Sequence, residues 1–373
     1  MKILCVIDTL SSGGAQRQMV TLAIHFSRCG HEVSFLTYYP GDFFHGLLLQ
    51  EGIPCTFLNE PRPLQKILKV RQFIRNGSQD IVLSFLDGPN LLCELSGLPW
   101  RRWGLIVGER SANLALFKNF KTRFLRLLHH CADFVVANSR SNQEMLEAVR
   151  PGLKNKIMVI YNMVDLQKFS PVQTNPSHRT EKIRLVIAAN YTHVKNLCGL
   201  ARAISLLSPE EQAQLCIEWY GNKESEPPPY QSYMNAVAAI NAESVGHVIK
   251  LSPAVSHIEK KIQGADAIGL FSFFEGLPNA VCEGMACEKP IVGSHVSDMK
   301  HLVTEGVNGF LCDPCSAESM AAALRKLLAC TPAQLSEMGK VSRQKAEELF
   351  SPEKTGDRYL SLMQKALAKK RPG

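Results

Sequence analysis

FFEGLPNAVCEGMACEKPIVGS, residues 273–294, decides how this chain is read. An apolar run, AIGLFSF, ends at Phe273, Gly276, Leu277 and Pro278 turn the chain, and a helical pattern starts at Pro278 or Asn279. A strand, a tight loop and a helix N-terminus make an anion site, because unpaired backbone N–H groups and the positive end of the helix dipole converge on one point. In open α/β sheets that point lies beyond the carboxyl ends of the strands, where ligands bind. A diphosphate fits such a point. Glu275 falls in the loop, nearest the phosphates and placed for a sugar attached to them. Glu283 follows eight residues later, about one turn into the helix, where a carboxylate accepts hydrogen bonds from the vicinal hydroxyls of a ribose.

Outward from this stretch, short β-branched runs alternate with amphipathic helical patterns, which predicts parallel sheets with crossover helices. KILCVI, EVSFLT, DIVLSF, GLIVGE, FVVANS and KIMVIY are the candidate strands of the first half. Ala15, Met19, Leu22, Ala23 and Phe26 mark the apolar stripe of the first crossover helix. Periodicity stops at LQKFSPVQTNPSHRTE, residues 166–181, and resumes with IRLVIAAN, LCIEWYG, VIKLSP, AIGLFSF, PIVGSH and GFLCD. The predicted organisation is α/β: a Rossmann-like doubly wound domain over 1–170, a second over 171–350, and a C-terminal helix over 351–373 that crosses back to the first domain. A length of 373 residues suits two domains of ~180 each.

Composition narrows the function classes. Hydrophobic residues make up 45% and charged residues 20% of the chain, as in a globular protein with full cores. The apolar N-terminal run is interrupted by Asp8 and is too short for a signal or a membrane span, so a cytoplasmic protein is expected. The twelve cysteines are scattered singly, as reduced thiols would be. Cys312 and Cys315 lack a second ligand pair, so no metal site is expected. The net charge of +8 belongs to the first half, where residues 1–170 hold 20 Lys/Arg against 13 Asp/Glu. No nucleic-acid motif accompanies it, so nucleic acid is not an expected partner.

The two glutamates separated by seven residues resemble the motif of family 4 retaining glycosyltransferases, whose GT-B fold is two facing Rossmann-like domains with a cleft between them. Other segments resemble the family in the same order: Gly13-Gly14-Ala15-Gln16-Arg17 its N-terminal glycine loop, Val159-Ile160-Tyr161-Asn162 with Val164-Asp165 and Phe169 its interdomain segment, Lys195-Asn196 its phosphate-binding lysine, and Gly306, Asn308-Gly309-Phe310 and Asp313-Pro314 the segment after the donor site. The resemblance implies that Glu283 binds the donor ribose, Glu275 contacts the transferred sugar and Lys195 neutralises the diphosphate. It also implies that backbone amides around Gly276, Leu277, Asn279 and Ala280 hold phosphate or sugar oxygens, with no cofactor and no metal. Lys195 beside the β-phosphate would stabilise charge developing on the leaving nucleotide. Gly13 and Gly14 are expected to let backbone approach a ligand and to adopt φ angles that other residues avoid; in this family their loop faces the donor across the cleft.

The chain also departs from the family pattern. Asn190 stands where an arginine is common, Met163 replaces a glycine, and Gly284 and Glu288 replace the usual alanine and glycine. After the predicted fourth strand stand Glu109 and Arg110 in place of a common histidine, and both are expected on the acceptor side of the cleft. The expected reaction is transfer of a hexose or N-acetylhexosamine from a nucleotide diphosphate sugar, UDP-linked by preference, to a glycan or lipid-linked glycan in cell-surface polysaccharide or lipopolysaccharide synthesis. A nucleotide-sugar-binding protein without activity and a GT-B epimerase are the alternatives. Trp100-Arg101-Arg102-Trp103, and a helix over Phe117–Leu128 with Phe117, Phe120, Phe124, Leu127, Leu128 and Cys131 on one face and Lys118, Lys121, Arg123 and Arg126 off it, predict peripheral contact with an anionic membrane.

Overall fold

The computed structural model describes residues 1–110, 120–172, 182–223 and 231–370. The chain divides into two compact units, Met1–Met163 with the C-terminal segment from Pro352, and Val164–Ser351. The division thus falls at Met163/Val164, and residues 164–170 belong with the second unit.

The first unit holds a parallel sheet of β1 (Lys2–Val6), β2 (Glu32–Thr37), β3 (Cys55–Phe57), β4 (Ile81–Phe85), β5 (Gly104–Glu109), β6 (Phe134–Ala137) and β7 (Ile157–Val159), in the order β3-β2-β1-β4-β5-β6-β7. Strand order reverses between β1 and β4, which pair with Ile3 opposite Ile81. Every residue of β4 and β5 is buried, as expected of strands covered on both faces by helices. Alternation along β1 feeds two cores: Ile3 and Cys5 pack with Leu83 and Ile106 on one face, and Leu4 and Val6 with Val82 and Leu105 on the other. β3 is absent from the sequence reading because it has three residues, two of them exposed, and so no apolar run.

The helix Pro352–Ala368 completes the first core. Tyr359, Leu362, Met363 and Ala366 are buried with Phe26, Phe85 and Ile106. Its approach to the helix Gly14–Arg28 is close enough that a Cβ on Gly356 would lie 2.1 Å from the His25 ring, so no larger residue fits there.

The second unit repeats the design with β8 (Ile183–Ala188), β9 (Leu215–Tyr220), β10 (Ile249–Ser252), β11 (Ala267–Leu270), β12 (Ile291–Ser294) and β13 (Gly309–Cys312), ordered β10-β9-β8-β11-β12-β13 and parallel throughout. The reversal lies between β8 and β11. The helix Asn279–Ala286 buries Val281, Cys282 and Met285, and Gly284 lets it lie directly on β11, since a Cβ there would come within 2.5 Å of Ile268. The predicted strand AIGLFSF is shorter than expected: β11 stops at Leu270, and the chain bends at Phe273, whose N–H donates to the Val194 carbonyl at 2.9 Å.

Candidate functional site

The reversal point of the second sheet carries the expected residues. After β8 the chain runs through a 3-10 turn, His193–Lys195, and Asn196 caps the helix Leu197–Ser205 from a left-handed φ of 58°, accepting the Gly199 N–H on its side chain. Beyond β11 the loop delivers Glu275. Lys195 Nζ and Glu275 Oε1 lie 2.6 Å apart, so the two elements flanking the reversal point are joined by an ion pair. Ser272 Oγ donates to the same Glu275 oxygen at 2.5 Å. Ser297 Oγ grips the backbone of Glu275 from the other side, accepting its N–H at 3.2 Å and donating to its carbonyl at 2.5 Å. Ser297 does this from a φ of 48°, a conformation that costs on the order of 1 kcal/mol outside glycine and that survives only where the surroundings enforce it.

Glu275 is nearly buried, whereas Lys195, Gly276 and Glu283 are half-buried. Leu277 and Pro278 are buried and lead into the helix whose first residues are Asn279, exposed, and Ala280, half-buried. Asn190, at the position of the expected arginine, is exposed and accepts the Asn222 N–H at 3.1 Å, so it ties the β8 loop to the β9 loop. A cavity of about 550 Å³ opens beside the Lys195 turn, lined by Tyr191, His193, Asn196, Phe273 and Pro314 among others. Glu288, at the other end of the helix, has φ 62°: its N–H donates to Met285 and the Lys289 N–H to Gly284, the helix-ending turn for which glycine is the natural residue.

In the first unit, Gly13 is extended at φ −161° and Gly14 opens the helix Gly14–Arg28. Neither needs a left-handed backbone, which corrects the expectation for this pair. What Gly14 supplies is room, with nothing within 4 Å of where its Cβ would be.

Glu109 and Arg110, expected on the acceptor side of the cleft, are held by partners within the first unit. Glu109 is 1% exposed and sits in a sealed charge cluster. Its Oε1 takes Arg126 Nη2 at 2.7 Å, its Oε2 lies 3.4 Å from His129 Nε2, and His129 Nδ1 lies 2.6 Å from Glu94 Oε1. Burial favours the neutral carboxyl, but His129 and Arg126 overcome it and hold Glu109 below its ordinary pKa. Burial also opposes charge on His129, yet its bonds to Glu109 and Glu94 raise its pKa to about 9. Arg110 stacks 3.6 Å from the centre of the Phe85 ring and donates to Asn162 Oδ1 at 2.9 Å and to Tyr359 Oη at 2.5 Å, anchoring the C-terminal helix.

The proposed membrane stretch changes as well. Trp103 is a core residue at 2% exposure and Arg101 is paired with Asp133, while Trp100 is exposed beside Arg75. Arg126, read as a solvated flank, is 1% exposed because it neutralises Glu109 and Asp87. The helix Phe120–Leu125 is followed by a 3-10 turn, Leu128–Cys131, and Phe124 and Leu127 are exposed. Phe117 and Lys118 lie outside the described residues, as do the side chains of Phe120 and Lys121. Among the described residues no helix is long and apolar enough to cross a membrane.

Comparison with known proteins gives the family and agrees with the fold. Residues 12–168 match the model of Glycosyltransferase Family 4, and residues 182–330 match that of Glycosyl transferases group 1. The chain belongs to the family 4 glycosyltransferases of GT-B fold. It is 26% identical over 330 residues to a GalNAc-alpha-(1->4)-GalNAc-alpha-(1->3)-diNAcBac-PP-undecaprenol alpha-1,4-N-acetyl-D-galactosaminyltransferase of Campylobacter jejuni, covering 84% of this chain and 85% of that one. It is 22% identical to N-acetyl-alpha-D-glucosaminyl L-malate synthase of Bacillus anthracis, covering 94% and 93%. Among solved structures, Anabaena HepE in complex with UDP superposes with a TM-score of 0.83 at 19% identity, covering 98% of this chain and 100% of the other. The lipopolysaccharide outer core galactosyltransferase WaaB gives 0.76 at 16% identity, covering 98% and 99%.

In this family 4 glycosyltransferase, sequence reasoning missed Ser272 and Ser297, since an isolated serine carries no pattern. Ser272 does stand at i−3 from Glu275, a spacing at which a hydroxyl on a turn reaches a carboxylate.

Proposed function

We propose that this glycosyltransferase retains anomeric configuration and moves a hexose or N-acetylhexosamine from a UDP-sugar to a lipid-linked glycan, without a metal ion. The observation that carries the reading is the 2.6 Å contact of Lys195 with Glu275 ahead of the helix that bears Glu283. The ammonium that would neutralise a diphosphate touches the carboxylate that would contact the sugar, as the linkage of phosphate to sugar in the donor requires. Lys195 would take up charge on the departing β-phosphate, the task a metal ion performs elsewhere. The N-terminal turn of the helix Asn279–Ala286 would hold phosphate oxygens on its backbone amides, and Glu283 would accept the ribose hydroxyls.

Glu275 Oε1 already accepts from Lys195 and Ser272, which stabilises its charge and weakens it as a nucleophile. We therefore favour same-face attack. The acceptor hydroxyl oxygen bonds to the anomeric carbon as that carbon's bond to the β-phosphate oxygen breaks, and the released phosphate oxygen takes the hydroxyl proton. A sugar trapped covalently on Glu275 of the wild-type enzyme would overturn this route.

The lipid-linked acceptor is supported by the two Campylobacter relatives, both of which are named for an undecaprenol diphosphate substrate. Contact with the inner face of an anionic membrane through Trp100, Phe124 and Leu127, all exposed, is part of the same reading. The test is incubation with a panel of UDP- and GDP-sugars and a short-chain lipid diphosphate acceptor. Transfer from a UDP-sugar with the anomeric configuration kept, undiminished by a chelator, is expected, together with weaker donor binding by Glu283→Ala. Absence of donor binding, or unchanged binding by Glu283→Ala, rejects the assignment.

A further inference from the structure

The helix Pro63–Asn76 in the first unit carries a positive charge where helix physics disfavours one. Its first turn has no acidic residue, Arg62 stands at the N-cap, and Lys66 follows, so an ammonium adds to the positive end of the dipole. Lys66 is 8% exposed. Its Nζ lies 4.0 Å from the ring centre of Tyr39 and 5.1 Å from that of Tyr38, and among the described residues no carboxylate or hydrogen-bond acceptor meets it. Glu60, the nearby acid in sequence, spends its carboxylate on Lys69 Nζ at 2.7 Å and the Arg62 N–H at 3.1 Å. Tyr38, 5% exposed, likewise has a hydroxyl without a partner among the described residues. That hydroxyl lies against Gly88, near the start of the helix Asp87–Ser96, and burial keeps it protonated and able to donate.

Both side chains are largely covered, yet the Lys66 ammonium and the Tyr38 hydroxyl keep their tips open to solvent and without a protein acceptor among the described residues, so an anion can reach and bridge them. Their position suits a ligand. The Tyr38 and Tyr39 N–H groups both donate to the Asp8 carbonyl, Thr9 Oγ1 donates to the Pro40 carbonyl and the Phe44 N–H to Leu10, so the loop after β2 is laced to the loop after β1 that leads into Gly13. This is the carboxyl edge of the first sheet, where open parallel sheets bind ligands. Asp8, the acid on that edge, accepts the Thr9 N–H and Gln16 Nε2 on Oδ1, and its charge, after burial, helps keep the Tyr38 hydroxyl protonated. Tyr39 is half exposed, and the helix of Lys66 turns Leu64 and Leu68 out to solvent at 76% and 63% exposure.

We propose that Lys66, with Tyr38 and the ring of Tyr39, forms a subsite for the diphosphate of a lipid-linked acceptor, with the apolar chain leaving along Tyr39, Leu64 and Leu68. The identity of the anion rests on the proposed glycosyl transfer to a lipid-linked glycan; the unpaired ammonium over the tyrosine rings does not.

The experiment compares wild type, K66M and K66R with two acceptors bearing the same sugar, a short-chain lipid diphosphate and a phosphate-free glycoside, while calorimetry with UDP follows the donor site. K66M is expected to lower discrimination in favour of the diphosphate acceptor at least tenfold, through KM rather than kcat, and K66R to restore most of it. Unchanged discrimination in K66M overturns the subsite. So does a loss confined to binding of phosphatidylglycerol vesicles, which would assign the lysine to membrane headgroups. Should K66M fail to fold, acetic anhydride footprinting of the wild type decides instead: Lys66 acetylation slowed by the lipid diphosphate and not by the glycoside upholds the proposal, and equal rates reject it. Failure of the transferase reading looks different, with no transfer by wild type to either acceptor while footprinting still reports on the anion.

Discussion

Each unit of this enzyme places ionised groups at the carboxyl end of a strand near its sheet's reversal point, and the two sets are built on opposite terms. At β5, Glu94, Glu109, Arg126 and His129 form a cluster in which every carboxylate has a cationic partner and every member is almost inaccessible. Beyond β11, Lys195 and Glu275 share one hydrogen bond, and the lysine is half open to solvent. A completed cluster has nothing left to offer a ligand, and breaking it leaves a buried charge unpaired. An incomplete one costs little to open, and its spare valences are available to a substrate. Charge near a strand end thus marks a site only where the count of partners falls short.

Substitutions test that contrast. Arg126→Met, which leaves the buried Glu109 and Glu94 to share His129 as their one cation, is expected to lower unfolding free energy by about 3–5 kcal/mol in urea titrations while leaving UDP affinity nearly unchanged. Lys195→Ala is expected to do the reverse: turnover falls ~10²–10³-fold, as when one preorganised donor is removed from a transition state, with stability within about 1 kcal/mol of wild type. If Lys195→Ala melts the protein, or Arg126→Met cuts turnover in a fully stable fold, the distinction collapses.

A smaller effect sharpens it through pH. His129 is raised from the ordinary histidine value to about 9, so its contribution is fully present below pH 6.5 and is lost as pH climbs through 9. Urea midpoints should decline over that window in the wild type and lose that slope in His129→Gln. The smallest effect belongs to Glu288. Its left-handed backbone sits where glycine is unstrained, so Glu288→Gly should raise stability by about 1 kcal/mol, read as a rise in Tm, with transfer kinetics unaltered.

Much of this was legible in the sequence because it follows from local pattern. The apolar runs of β1, β8 and β12, the stripe Met19, Leu22, Ala23 and Phe26, and the turn residues around Gly276 and Pro278 act over a few neighbours, and they indicated both sheets. Glu275 came from the strand-loop-helix reading and Lys195 from the family resemblance, but their contact was not among the expectations. What escaped depends on distant partners. Arg126 looks like any surface arginine until Glu109 is found against it, and Trp103 like an interfacial aromatic until the first core closes over it. β3 escaped for the opposite reason, being an exposed edge held by pairing with β2 rather than by apolar residues of its own.

The placement of Tyr359, Leu362, Met363 and Ala366 has a consequence for how the chain comes into being. On the ribosome, the first unit emerges with its final helix still unmade and must wait through the whole of Val164–Ser351 before that gap is filled. The domain begun first is finished last, and a chain halted before Pro352 would leave the surface around Phe26 and Phe85 bare for chaperones or for aggregation.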